Sequence, residues 1–212
     1  WDSPWGRGFP GWHIECSAMA TRYLGERFDI HTGGVDHVRV HHTNEVAQSE
    51  CALGVHPWVS FWVHTEFMNL AGRKIAKSSG DVLVVDTLVD AGIEPLAFRY
   101  FLLQAHYRAQ LEFSEEAVRS AGVALRRLVH HAVTARETVA AGEGGSSDAD
   151  AVARYRTDFW GALADDLNTP RALSVASTVA RDATLSSVDR WDLLADFDRV
   201  LAFGLADASD PE

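Results

Sequence analysis

Trp12-His13-Ile14-Glu15-Cys16-Ser17-Ala18-Met19-Ala20-Thr21-Arg22-Tyr23-Leu24, then Gly25, then Phe28-Asp29-Ile30-His31-Thr32-Gly33-Gly34, is the stretch on which the fold reading turns. The first run reads as a helix over 12–24 that stops at Gly25. The second reads as a short strand over 28–31, broken by the Gly33-Gly34 pair. Helix and strand in close alternation point to an α/β domain. Working outward, residues 1–11 form a Gly/Pro-rich loop, and a second helix covers 42–53 before the break at Pro57. The aromatic and β-branched run 58–70 reads as strand. Helices follow over 85–91 and 95–104, where Pro95 suits a first helical turn.

From Ser114 the pattern is helical throughout. Ser114 suits an N-cap, with Glu115 and Glu116 placed for the helix dipole, and the helix runs to about Val139. Gly142-Glu143-Gly144-Gly145-Ser146-Ser147 reads as a flexible linker. Helices are expected over 150–163, 170–183 and 188–203, with Thr169-Pro170 as a cap followed by Pro. Leu193, Leu194, Phe197, Val200 and Leu201 mark a buried stripe. The expected organisation is an α/β domain over 1–113 and an antiparallel helical bundle over 114–212.

The chain has 212 residues and 47% hydrophobic content, which suits a globular core. No stretch reaches the ~18 uncharged apolar residues of a membrane helix. Cys16 and Cys51 provide no disulfide framework, in keeping with a reducing, cytoplasmic setting. The net charge is −11, about −4 over residues 1–113 and −7 over 114–212. That sign argues against indiscriminate nucleic-acid wrapping. A local basic stripe, Arg119, Arg126, Arg127, His130 and His131, lies along one expected helix, and serves equally as a solvated face.

Of 19 basic residues only Lys74 and Lys77 are lysines, in Gly72-Arg73-Lys74-Ile75-Ala76-Lys77-Ser78-Ser79-Gly80. A flexible ammonium is a mobile point charge for a phosphate, which a planar guanidinium is not. Cys16, His41 and Glu45 form a second candidate site. His41 and Glu45 stand four apart at the start of an expected helix and so share a face. A Cys/His/Glu set with an open position suits a zinc that binds substrate. Spacing alone leaves the matter open. A lone buried cysteine is usually a small hydrophobe, the His41-His42 pair reads as readily as surface groups, and paired-cysteine spacings are absent.

Taken together the motifs resemble one family. Lys74-Ile75-Ala76-Lys77-Ser78 is similar to the Lys-Met-Ser-Lys-Ser loop of class I aminoacyl-tRNA synthetases. Residues 11–19, Phe28-Asp29-Ile30-His31-Thr32-Gly33-Gly34-Val35-Asp36 and His41-His42-Thr43-Asn44-Glu45-Val46-Ala47-Gln48-Ser49 resemble the cysteine-specific branch, the cysteinyl-tRNA synthetases. Arg99-Tyr100-Phe101-Leu102, His106-Tyr107-Arg108 and Asp165-Asp166-Leu167-Asn168-Thr169-Pro170 extend the match, which weakens after about Ala183.

The resemblance implies the second half of a Rossmann-like nucleotide-binding domain followed by a helical tRNA-stem or anticodon-binding bundle. It implies activation of cysteine with ATP and magnesium, then transfer to the tRNA for cysteine, in the cytoplasm and in a monomer. Cys16, His41 and Glu45 match zinc ligands, and Trp12 matches the tryptophan lining the cysteine pocket. Lys77, supported by Lys74, matches the catalytic lysine on the ATP phosphates. His31, Gly33, Gly34 and Asp36 match the segment bordering adenosine, where close backbone approach calls for glycine. A zinc–thiolate bond would separate cysteine from serine, a pair that shape separates poorly.

Ile75 and Ala76 depart from the family's Met and Ser. The His-x-Gly-His motif and a fourth zinc ligand, an upstream cysteine, are not found, so the expectation is a fragment that does not adenylate alone. Two alternatives stand: a ligase joining cysteine to an amino sugar in mycothiol biosynthesis, and a non-catalytic stand-alone paralogue that binds cysteine, nucleotide or tRNA. The Asn44-Glu45 pair after the two histidines favours the tRNA enzyme.

Overall fold

The computed structural model describes residues 2–9, 11–70, 73–74 and 85–210, with residues 73 and 74 described in backbone only. The chain divides into two compact units, Trp1–Phe67 with Tyr107–Gln110, and Met68–His106 with Leu111–Glu212.

The first unit opens on a hairpin of β1 (Asp2–Ser3) and β2 (Gly6–Arg7), where a loop was expected. Helix α1 spans Trp12–Leu24 and stops at Gly25, whose φ of 95° is a value glycine adopts without Cβ strain. Strand β3 (Phe28–Gly34) pairs in parallel with β4 (Val59–Thr65), with His31 opposite Trp62 and Gly33 opposite His64. The chain between them turns through a 3₁₀ segment (Val35–His37) and a π-helical segment (Val38–His42) into α2 (Thr43–Leu53), which packs on α1. This is a βαβ unit, as a parallel pair requires.

Two sequence expectations shift here. Gly33 and Gly34 do not break β3; both stay in register with β4. Their role is space. A Cβ on Gly33 would lie 2.5 Å from His42 Cε1 and 2.9 Å from His37 Nδ1, and one on Gly34 would meet Asp36 Oδ1 at 2.5 Å. The run 58–70 is also not one strand, since β4 ends at Thr65 and Met68–Leu70 forms β5.

In the second unit β5 pairs antiparallel with β6 (Arg73–Lys74) and parallel with β7 (Leu111–Phe113). Helices α3 (Val85–Asp90) and α4 (Pro95–Leu103) precede four long ones, α5 (Glu115–Ala140), α6 (Ala149–Ala164), α7 (Thr169–Arg181) and α8 (Ser187–Leu201). One hydrophobic core runs from Leu88, Tyr100 and Phe101 through Leu125 and Leu128 to Phe159, Leu193 and Phe197. Phe159 and Phe197 stack with centroids 3.9 Å apart, and Ala172 and Ala176 let the backbone of α7 come close.

Side chains define the starts of these helices. Ser114 Oγ accepts the Ala117 N–H at 3.1 Å, Asp148 caps α6, and Ser186 caps α8. Asn168, not Thr169, caps α7, following Asp166 and Leu167 in the left-handed region. The glycine-rich connection 142–147 is pinned instead of free. Val188 N donates to Gly144 O at 3.0 Å, while buried Asp189 accepts from Ser147 Oγ and Asp148 N. Asp182 accepts from Thr184 N, Thr184 Oγ1 and Tyr155 Oη. Those bonds, Thr184's first, hold its carboxyl at about 2, against an ordinary 3.8.

Three outcomes follow from this packing. Phe197→Ala should destabilise the second unit by about 3–5 kcal/mol in urea unfolding. The ion form of Asp182 is favoured by folding, so its stabilisation is full above pH 3.8 and lost as pH falls toward about 2. Urea midpoints should fall across that window, and less steeply in Tyr155→Phe. Gly33→Ala should cost about 1–3 kcal/mol by overpacking against His42, read as a lower melting temperature; an unchanged melt would mean that His42 moves aside freely.

Candidate metal centre and surrounding histidines

Three elements of the first unit converge on one point. Cys16 comes from the second turn of α1, His41 from the π segment, and Glu45 from the first turn of α2. One donor atom from each lies within 4.8 Å of the others. His41 Nε2 is 2.5 Å from Glu45 Oε1, the i,i+4 neighbour expected on one face. Yet Glu45 Oε1 is fully buried and accepts no hydrogen bond among the described residues. The contact is short but not aligned as a hydrogen bond, an arrangement that suits two ligands aimed at a shared cation.

The π segment explains why adjacent histidines both turn inward. His41 and His42 are 5% and 4% exposed, so they are not surface groups. His31 reaches the carboxylate from β3, its Nε2 2.6 Å from Glu45 Oε2. His31, His42 and Glu45 thus form a second cluster of potential ligands that shares Glu45 with the first. His42 Nδ1 lies 2.8 Å from His64 Nε2 on β4, and His13 Nδ1 lies 2.7 Å from His41 Nδ1. Trp62 stacks on His31 at 4.7 Å, and Trp58 is wholly buried beneath.

Burial is the first cause that depresses the His41 pKa, opposed by Glu45; burial and neighbouring histidines lower His42 to about 4 and depress His64 too. The rings are therefore neutral near pH 7 and keep lone pairs for ligation. Burial, then Glu45 and Glu15, raises the Cys16 thiol. A thiol made harder to ionise is one that a cation would have to deprotonate.

Trp12 begins α1 and is 60% exposed, with its ring 4.5 Å from that of His41. Gly33 and Gly34 close β3, and Asp36 follows in the 3₁₀ turn. His31 therefore stands beside Glu45 and on the same strand as the two glycines. Lys77 lies outside the described residues, and Lys74 is described only as backbone in β6.

Sequence reasoning missed His13, His37 and His64 as members of this cluster. The available signal was crowding: seven of ten histidines fall within residues 13–64.

Comparison with known proteins gives the family. Residues 1–123 match the family described as tRNA synthetases class I (C) catalytic domain. The chain is 46% identical over 210 residues to cysteine–tRNA ligase 1 of Burkholderia lata, covering 97% of the chain and 41% of the relative. It is 40% identical to the cysteine–tRNA ligase of Treponema denticola, covering 99% and 46%. The chain thus spans less than half the length of these curated relatives. Among solved structures, a LeuRS–tRNA–LeuAMS ternary complex from Agrobacterium radiobacter K84 aligns with TM-score 0.61 and 17% identity over 82% of this chain and 25% of that one. A putative arginyl tRNA synthetase from Campylobacter jejuni aligns with TM-score 0.61 and 16% identity over 99% and 54%. At those identities the structures speak for the fold alone, an α/β part with a helical part. The profile, which covers more than half of the chain, identifies it as a member of the class I (C) tRNA synthetase catalytic-domain family.

Proposed function

We propose that this chain is the part of a cysteine–tRNA ligase that selects cysteine, with residues 1–113 serving nucleotide and amino acid and 114–212 serving the tRNA. The observation that carries the reading is the convergence of Cys16, His41 and Glu45 around a buried carboxylate oxygen that accepts no hydrogen bond among the described residues. The donor set is one thiolate, one imidazole and one carboxylate, borderline-soft ligands suited to zinc with an open position. Zinc there would supply a Lewis acid for the substrate thiol, and so separate cysteine from serine.

The chain's own residues do the rest. His41 with Nε2 as ligand keeps a proton on Nδ1, and His13 Nδ1 at 2.7 Å accepts it. His31 fixes the other carboxylate oxygen of Glu45 at 2.6 Å. Trp12 covers the His41 ring and walls the amino-acid side. Gly33, Gly34 and Asp36 match the family segment that borders adenosine, with Asp36 the expected acceptor from ribose. Lys77, with Lys74, meets the ATP phosphates, where mobile charge helps most in the transition state. ATP with magnesium, cysteine and the tRNA for cysteine are the expected partners, in the cytoplasm. Among the described residues no helix is long and apolar enough to cross a membrane. The amino-sugar ligase reading is the second choice, and Asn44-Glu45 weighs against it.

In the full-length protein, Glu45→Gln should weaken zinc at least about tenfold by competition with a chelator and lower cysteine-over-serine selectivity. Unchanged zinc and selectivity would remove Glu45 from the ligand set. Lys77→Arg should keep the fold but lose most cysteine-dependent ATP–pyrophosphate exchange. Exchange near the unmodified rate would defeat the argument from lysine, and no exchange in the unmodified protein would defeat both ligase readings.

A further inference from the structure

The basic stripe along α5 separates into two groups once its partners are known. Arg119 binds Glu115 and the Ala91 carbonyl, Arg126 lies 3.7 Å from Glu94, and His130 lies 2.8 Å from Asp210. These three are neutralised within the chain. Arg127 and His131 are not: among the described residues neither has a hydrogen bond or an ion pair. Both line a cavity of about 180 Å³ between α4, α5 and α7, and Arg181 of α7 lines it from the other side. Among the described residues the Arg181 side chain makes one hydrogen bond, from Nε to the Ser177 carbonyl at 3.0 Å, and its outer guanidinium nitrogens have no partner there. Ser177 and Tyr100 also line it.

We propose that this cavity is an anion site that takes a phosphate group, held by Arg127 and Arg181, with His131 and Ser177 also lining it. The surrounding charge sharpens the point. Residues 114–212 carry about −7, so a pair of arginines left without carboxylates runs against the composition of the unit. Arginines in a fork on two helices match the oxygens of a tetrahedral anion better than they match solvent. The neighbouring cavity shows the contrast: it is lined by Arg119 and Arg126, both neutralised within the chain. Positive potential also registers on His131, whose pKa is depressed by burial first and then by His130, Arg190 and Arg181. The phosphate has two possible sources, a free anion such as pyrophosphate or the backbone of a folded RNA. The site uses none of the residues assigned to zinc, cysteine or ATP: a free-anion source stands apart from the ligase reading, and an RNA source rests on the reading that residues 114–212 serve the tRNA.

The test is calorimetric titration of the full chain with pyrophosphate and, separately, with a short RNA hairpin, with the His131 ring signals followed by NMR. Saturable 1:1 binding that shifts His131 is expected with at least one of the two. The double variant Arg127→Gln/Arg181→Gln, two exposed positions, should weaken it at least tenfold and keep the melting temperature. Loss of pyrophosphate binding identifies a free-anion site. Loss of hairpin binding alone, with a salt slope lower by about 1 per phosphate contact removed, identifies RNA backbone. No saturable binding of either ligand, or isotherms unchanged in the double variant, overturns the proposal.

Discussion

Glu45 is completely buried, and a buried carboxylate is tolerated only where its charge is compensated. Much of the first unit is arranged around that requirement. One oxygen meets His31 from β3, the other faces His41 from the π segment, and Cys16 closes from α1. Two helices and a strand are thereby tied to one atom pair. Behind them His13 meets the His41 ring, and His64 meets His42, the neighbouring ring of the second cluster. A cation at the centre would complete this compensation, while the imidazoles alone are kept neutral by burial and mutual repulsion.

Element types were largely legible in the sequence because local signals are strong where helices are long. Gly25, Pro95 and Ser114 mark their boundaries through φ, a missing N–H and a side-chain acceptor, all properties of single residues. Readings that depend on distant atoms did not come through. Gly33-Gly34 looks like a break in the sequence, but it is a place where His42 and Asp36 crowd the strand. The 142–147 segment has a linker's composition, yet Asp189 and Val188, more than 40 residues on, hold it in place. The Cys16, His41 and Glu45 set was visible as chemistry. The crowd of histidines around it was not, because β3, β4 and α1 bring them together from separate segments.

The second unit solves a different electrostatic problem. Its excess of acid is spent locally, in caps such as Asp148 and in pairs such as Arg156 with Asp192 and Asp196. Exposed pairs of that kind contribute little to stability, and the bundle rests on its apolar seam of Phe159, Leu193 and Phe197. Surface charge there is free to serve recognition without weakening the fold.

The π segment at Val38–His42 carries one more consequence. A widened turn places one more residue in the loop of the helix than α geometry would, and that surplus residue is what lets His41 and His42 face inward together. Each residue of an α-helix turns the face by about 100°. Loss of a single residue from 38–40 would keep His41 and Glu45 four apart on one face, yet turn that pair relative to Cys16 on α1 and His31 on β3, although every ligand remained in the chain. The centre is thus guarded by spacing as much as by identity: the segment tolerates exchange of Val38 or Val40 for other apolar residues better than it tolerates any change in length.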